Sequence, residues 1–314
     1  MKQICSFMII LFCIGFANAQ TARISFKSNE FYPEGIAYDA TTNTYFTGSV
    51  KTGTIMSVNA SGITKEFYKD STLMSSFGMK IDASNNLLWV CTGDPNYSIY
   101  STPATKKKLA RLVAIDLATA SKKYDIDLSG TYTGEHFAND LTLDDAGNIY
   151  VTDSYSPVIY KIDNRQKVTV FAINELFRSP DVGLNGIVWF PGGYLLAVNN
   201  SNGSILKIDT RTATVSKVKT DNFFPGADGL GRVGTDLLMV VNKGIDKVFR
   251  ISSTDNWATA KIVASTAAED RFQNPSTIVE SKNKWYVVNS KLNEITDRSK
   301  KPSEEFSFQL VSLK

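Results

Sequence analysis

The stretch FANDLTLDDAGNIYVTDSYSPVIYKID, residues 137–163, decides the fold. Its apolar residues fall on alternate positions, as in Ile149 and Val151 against Tyr150 and Thr152. A period of two marks strands, and turns rich in Asp, Asn, Gly, Ser and Pro separate them. The same plan returns in GIAYDATTNTYFTGSVKTGTIMSVN (35–59), in GMKIDASNNLLWVCTG (78–93) with LVAIDL (112–117), and in NGIVWFPGGYLLAVNNSNGSILKID (185–209). It returns again in DGLGRVGTDLLMVVNKGIDKVFRIS (228–252) and PSTIVESKNKWYVVNS (275–290). The six copies start near Gly35, Gly78, Asn139, Asn185, Asp228 and Pro275, spaced by 43 to 61 residues. That is the period of a four-stranded blade. No stretch has the pattern of a long amphipathic helix, which disfavours a parallel barrel with helical crossovers. The expected fold is all-β, a six-bladed β-propeller forming a single domain over residues 21–314.

An open ring would expose two sheet edges. The last copy carries two strands before the polar loop Lys291 to Glu305, and FSFQLVSL (306–313) adds a third. RISF (23–26) is the expected fourth, so the last blade is closed by the N-terminal strand.

Ahead of it, MKQICSFMIILFCIGFANAQ (1–20) has an early lysine, an apolar run from Ile4 to Ala17 and a small-residue Ala17-Asn18-Ala19 site. This is the pattern of a cleaved signal peptide, too short to span a bilayer, and Phe12 before Cys13 does not suit a lipobox. A secreted or periplasmic chain without stable membrane insertion is expected. Cys91 alone then remains, in the apolar run LLWVC, where a buried thiol is the simple expectation and no internal disulfide can form. Lys and Arg total 34 against 31 Asp and Glu, a net charge of +3, and nothing points to nucleic acid. Lys106, Lys107 and Lys108 are expected at a solvated loop tip.

In a propeller the first strand of each blade lines the central channel, and strands alternate in direction. At the entrances of these strands the copies place Glu34, Gly78, Asn139, Asn185, Asp228 and Ser276. Taken singly, Asn and Asp at such positions bond nearby backbone. Four oxygen-bearing side chains at one phase of six copies point instead to a shared site. Two carboxylates and two amides suit one hard divalent cation, Ca²⁺ first among them, which takes about 6–8 oxygen ligands. With a single His and no Cys pair, an ordinary zinc site is disfavoured.

In PEGIAYD (33–39), FANDLTLDDAGNIYVTDS (137–154), LNGIVWFPGGYLLAV (184–198) and GADGL (226–230), the chain resembles the calcium-dependent phosphotriesterase superfamily of six-bladed propellers. That superfamily includes regucalcin and gluconolactonases, paraoxonases and diisopropylfluorophosphatase. The resemblance implies a catalytic Ca²⁺ held by Glu34, Asn139, Asn185 and Asp228, with Asp228 also acting as general base or nucleophile. It implies hydrolysis of a lactone or related ester, the metal polarising a carbonyl or phosphoryl oxygen. Gluconolactonase-like members carry an arginine where Phe137 stands, so Phe137 marks the substrate pocket and favours a more apolar lactone or ester. Gly231 stands where some relatives bind a second calcium, and no second ion is expected.

His136, the one histidine, is a candidate proton shuttle, with a polar loop residue as its alternative. A serine triad lacks its Gly-x-Ser-x-Gly elbow. GLGRVG (229–234) matches a dinucleotide pattern in letters only, because a strand pattern follows where a helix is required. Sequons stand at Asn59, Asn96, Asn199 and Asn202. Two longer inserts, DPNYSIYSTPATKKK (94–108) and residues 291–305, belong to the metal face as a lid, a substrate wall or plain surface loops. The expected partner is a small lactone or ester, and the expected state a monomer. The competing functions are a non-catalytic, calcium-braced binding or scaffold module and a strictosidine-synthase-like lyase, which does not rely on the metal.

Overall fold

The computed structural model describes residues 22–297 and 299–314; the expected signal segment lies outside them. Six four-stranded antiparallel sheets are present. Blade one runs Pro33–Asp39, Thr44–Ser49, Thr54–Val58 and Thr64–Lys69. The inner strands of blades two to six are Ser75–Asp82, Ala138–Leu143, Leu184–Phe190, Ala227–Val233 and Pro275–Ser281. Inner strands touch in cyclic order, the sixth closing on the first. Helix among the described residues is confined to short 3-10 turns and the single turn Asn293–Thr296. None is long and apolar enough to cross a membrane.

The period-two alternation sorts side chains between two interblade cores. In the second strand of blade five, Leu237, Met239 and Val241 pack with Leu196 and Trp257 of one core. Leu238 and Val240, between them, pack with Ile278 and Val287 of the next. Both faces of such a strand are covered, so a strand can be apolar on every residue and still alternate in partner. At about 25 cal/mol per Å² of apolar surface removed from water, these cores are the main stabilising contribution.

The aspartates that end many strands do local work on the face away from the channel entrances. Asp144 Oδ1 accepts from the amides of Ala146 (3.0 Å) and Asn148 (2.8 Å), and Asp163 Oδ1 from those of Arg165 (2.8 Å) and Lys167 (2.9 Å). For this set the turn-capping role is the observed one.

Closure follows the expected route. The N-terminal strand Arg23–Lys27 pairs antiparallel with Glu305–Leu310, Ile24 opposite Phe308 and Phe26 opposite Phe306. Glu305–Leu310 pairs in turn with Lys284–Asn289, completing blade six. Phe26 packs on Phe308 with ring centroids 5.0 Å apart, a second clasp beside the backbone ladder. GLGRVG sits in and just after the inner strand of blade five, with no helix following. Asn199 of the sequon set is fully buried, its amide donating to the Phe177 and Arg178 carbonyls, so a glycan has no room there.

Candidate functional site

Every inner strand carries a one-residue bulge at its entrance. In blade one Pro33 opposes Ser49 and Ile36 opposes Thr47, so three steps on the inner strand match two on its partner. The same shift falls at Ser76/Met79, Ala138/Leu141, Leu184/Ile187, Ala227/Leu230 and Pro275/Ile278. The first residues inside these bulges are Glu34, Phe77, Asn139, Asn185, Asp228 and Ser276. Bulges re-aim side chains, and here they do so at one phase around the ring.

This register corrects the expectation for blade two. Phe77, not Gly78, is the counterpart of Glu34, and Gly78 corresponds to Gly35, the second bulge residue. In blades one, two, four and five that second position is glycine, where inner strands approach closely. A Cβ on Gly35 would lie 2.0 Å from the Phe77 carbonyl oxygen, and one on Gly186 would lie 2.2 Å from that of Asp228. Blade six has Thr277 there and blade three has Asp140. Its carboxylate accepts from the amides of Leu141 (2.9 Å) and, across the blade boundary, Ile187 (3.2 Å).

Glu34, Asn139, Asn185, Asp228 and Phe137 line one cavity of about 360 Å³. All four oxygen-bearing residues are buried. Asn139 donates its amide to Ser154 Oγ at 2.8 Å, which leaves its carbonyl oxygen free; Asn139 Oδ1 and Glu34 Oε2 are buried without a protein partner. Such orphaned acceptors are costly and call for a ligand. Burial, then the charges of Asp228 and Asp140, push the Glu34 carboxyl well above its usual range. Burial pushes Asp228 up; the hydrogen bond from Asn242 holds it down, and the charge of Asp140 adds to the rise. Two desolvated carboxylates resolve this conflict by holding a proton or sharing a cation. Among the described residues no three His, Cys, Asp or Glu side chains are grouped to hold a metal. An ion here would therefore rest on mixed carboxylate and amide oxygens, a donor set that fits Ca²⁺ and not zinc.

Three of the four arms, those of Asn185, Asp228 and Glu34, are held by the blade before them in the ring. Ser154, Asn200 and Asn242 directly follow the second strands of blades three, four and five. Ser154 donates to the Leu184 carbonyl, Asn200 to that of Ala227 (3.0 Å) and Asn242 to that of Pro275 (2.9 Å). Leu184 and Ala227 immediately precede Asn185 and Asp228. Asn242 also donates to Asp228 Oδ2. Ser276 bonds the Glu34 carbonyl at 2.7 Å and Thr277 bonds it at 2.6 Å, fixing the remaining arm. The sequence carried a trace of this latch in Ser154, Asn200 and Asn242 at one phase of the copies, yet strand pairing was needed to give it meaning.

His136 is not part of the cavity wall. Buried, it sets Nδ1 2.8 Å from Asp153 Oδ2, while Asp153 Oδ1 accepts from the Phe137 amide at 2.9 Å. Tyr160 donates to the same Asp153 at 3.0 Å. Burial pushes the imidazole down, but the hydrogen bond and charge of Asp153 outweigh it and hold it above its ordinary value. His136 is a buried residue of the loop before the inner strand of blade three, and it pins the strand entrance carrying Phe137 and Asn139. Both inserts reach the cavity, the first through Tyr97 and the second through Leu292, Asn293 and Thr296, so they form wall. Lys107 is tied down, its Nζ 3.1 Å from Glu135 and 4.9 Å above the Tyr155 ring.

No protein-family model and no curated protein matches the chain. Solved structures do. The major Malassezia sympodialis allergen Mala s 1 superposes with TM-score 0.71 at 15% identity, covering 92% of this chain and 96% of that one. A PQQ-bound aldose sugar dehydrogenase from Streptomyces coelicolor gives 0.65 at 13% identity over 93% and 97%. A luciferin-regenerating enzyme gives 0.62 at 12% over 93% and 96%. Two of these three are enzymes by name, so the scaffold is one that carries catalysis elsewhere. At such identities the likeness is one of fold: the chain is a six-bladed β-propeller.

Proposed function

We propose that the chain is an exported, calcium-dependent hydrolase of a lactone or related ester. The observation that carries this is the pair of buried, partnerless oxygens, Glu34 Oε2 and Asn139 Oδ1, in the cavity that Asn185 and Asp228 also line. Glu34, Asn139, Asn185 and Asp228 would hold the ion, their two carboxylates matching its charge. When bound, Ca²⁺ supplies Lewis-acid polarisation of the substrate carbonyl. Asn242 orients Asp228 through Oδ2, and the carboxylate so held would take the proton of an attacking water. His136 holds the Asn139 strand through Asp153.

Phe137 at the cavity, beside Phe77, favours an apolar substrate over a polyhydroxylated sugar lactone. Elemental analysis of the purified chain, followed by a lactone and aryl-ester panel with and without chelator, tests the proposal. One bound calcium and chelator-sensitive turnover lost in Asp228→Ala is the expected outcome. Tight metal with no turnover on any ester overturns the hydrolase and leaves a calcium-braced binding module.

A further inference from the structure

A second cavity, of about 610 Å³, lies between blades two and three on the face away from the channel entrances, where hairpin turns of both blades line it. Two aromatic rings belong to its wall. Trp89, in the second strand of blade two (Leu87–Gly93), is 2% exposed, and Tyr124, in the outer strand of that blade (Lys122–Asp127), is 40% exposed. The rings lie parallel, 6° apart in plane with centroids 5.7 Å apart, so buried Trp89 backs a flat, accessible Tyr124. Asp82, Asp116, Asp145 and Asp163 stand around them with one cation, Lys123.

Two buried polar atoms of this wall lack a protein partner, and they are of opposite sense: Trp89 Nε1 donates and Gln166 Oε1 accepts. Burial pushes the Asp82 carboxyl up, while hydrogen bonds from Ser84 and Asn85 and the neighbouring Trp89 indole hold it below its ordinary value. Asp82 gives its oxygens to Ser84 Oγ (2.6 Å) and Asn85 Nδ2 (2.8 Å), and the indole N–H makes no hydrogen bond with them. Orphaned buried groups call for a ligand, and their chemistry selects it. A carboxylate, sulfate or phosphate brings acceptors only and meets four aspartates. An ammonium or guanidinium suits the charge and the Tyr124 face, but it brings donors only and leaves the indole unmet. A hydroxyl donates and accepts. A pyranose adds a C–H face for the electron-rich face of Tyr124. Ligand sites span roughly 300–1,000 Å³, so this groove has room for about one or two sugar rings.

From the ring platform and the mixed pair of orphans we infer that this groove binds a neutral saccharide, one sugar ring stacked on Tyr124 and its hydroxyls meeting Trp89 Nε1, Gln166 Oε1 and the aspartates. The site lies on the opposite face from the hub cavity and does not rest on the hydrolase reading. It would hold the chain on a glycan with the channel entrances facing away.

The Trp89 indole is a direct reporter, one of four tryptophans in the chain. Its ¹H–¹⁵N signal, identified as the one missing from Trp89→Phe, is followed in the whole chain as methyl glucoside, methyl galactoside and methyl mannoside are added, with calcium and with chelator. At least one glycoside is expected to shift it saturably and equally in both buffers, and methyl glucuronide to bind about threefold more weakly or worse, repelled by the aspartates. Tyr124→Ala changes an accessible ring, and Gln166→Gly falls at a left-handed φ of +65° that suits glycine. Each variant, checked for fold by circular dichroism, is expected to weaken binding about 3–10-fold, the loss of one contact. No shift of the Trp89 indole with any of the three glycosides, glucuronide binding as tight as theirs, or unchanged binding in both folded variants overturns the inference. A shift with tetralysine and with no glycoside overturns it in favour of a cationic peptide.

Discussion

At the scale of residues, the site depends on side chains that orient others. Asn242 bonds both Asp228 and the Pro275 carbonyl, and so holds a candidate ligand and the next blade at once. Asn242→Ala is expected to lower kcat/KM by about 10–100-fold, the usual loss for an outer partner of a metal ligand. Steady-state kinetics at saturating calcium would show it, and an unchanged value would remove Asn242 from the site. His136 gives a pH-dependent prediction. Its imidazole is held above its ordinary pKa by Asp153, so the charged pair contributes in full below about pH 6.5 and is lost as pH rises through the folded-state value. His136→Gln should therefore cost about 1–3 kcal/mol at pH 5.5 and less at pH 9. Urea unfolding at the two pH values measures the difference; a deficit that grows with pH contradicts the pairing.

At the scale of elements, the entrance bulge is the unit that makes a site from a repeat. It turns one side chain per blade toward a common hub, and in blades one, two, four and five the glycine behind it lets adjacent inner strands close. Gly186→Ala would set a methyl 2.2 Å from the Asp228 carbonyl, a backbone atom with little freedom to move. It should destabilise by about 1–3 kcal/mol or more through overpacking. Gly147→Ala meets nothing within 4 Å and is strained only by its φ of +76°, so about 1 kcal/mol is expected there. Thermal unfolding of both variants would check the contrast. The bulge also explains why Phe77 escaped a reading of letters. Gly35 and Gly78 look like equivalent starts of their copies, yet each is the second residue of its bulge, and only strand pairing counts the extra position.

At the scale of the whole molecule, ring closure and a hub-bound ion are expected to act together. The outer strand Arg23–Lys27 gives blade six its fourth member. Deleting residues 22–27 leaves Glu305–Leu310 as an open edge, and the shortened chain is expected to melt lower and self-associate, as read by calorimetry and light scattering. The oxygens of blades one, three, four and five meet only in the closed ring, so an ion bound there should stabilise it. At a hundred times its dissociation constant, calcium is expected to add about 2.7 kcal/mol, seen as a rise in Tm that chelator reverses. No rise with calcium would remove the ion from the hub.

Alternation, turn residues and a blade-sized repeat determined the six-bladed architecture and the closing role of RISF, because strand period and turn chemistry are local properties of the chain. They also singled out Glu34, Asn139, Asn185 and Asp228, which share one phase of that repeat. The tertiary structure alone decided that Phe77 takes the remaining hub position in blade two, that His136 faces Asp153, and that Tyr97, Phe137 and Tyr155 form one wall. The physical reason is that bulge register and interblade packing join residues tens of positions apart, through contacts with no period for a sequence to display.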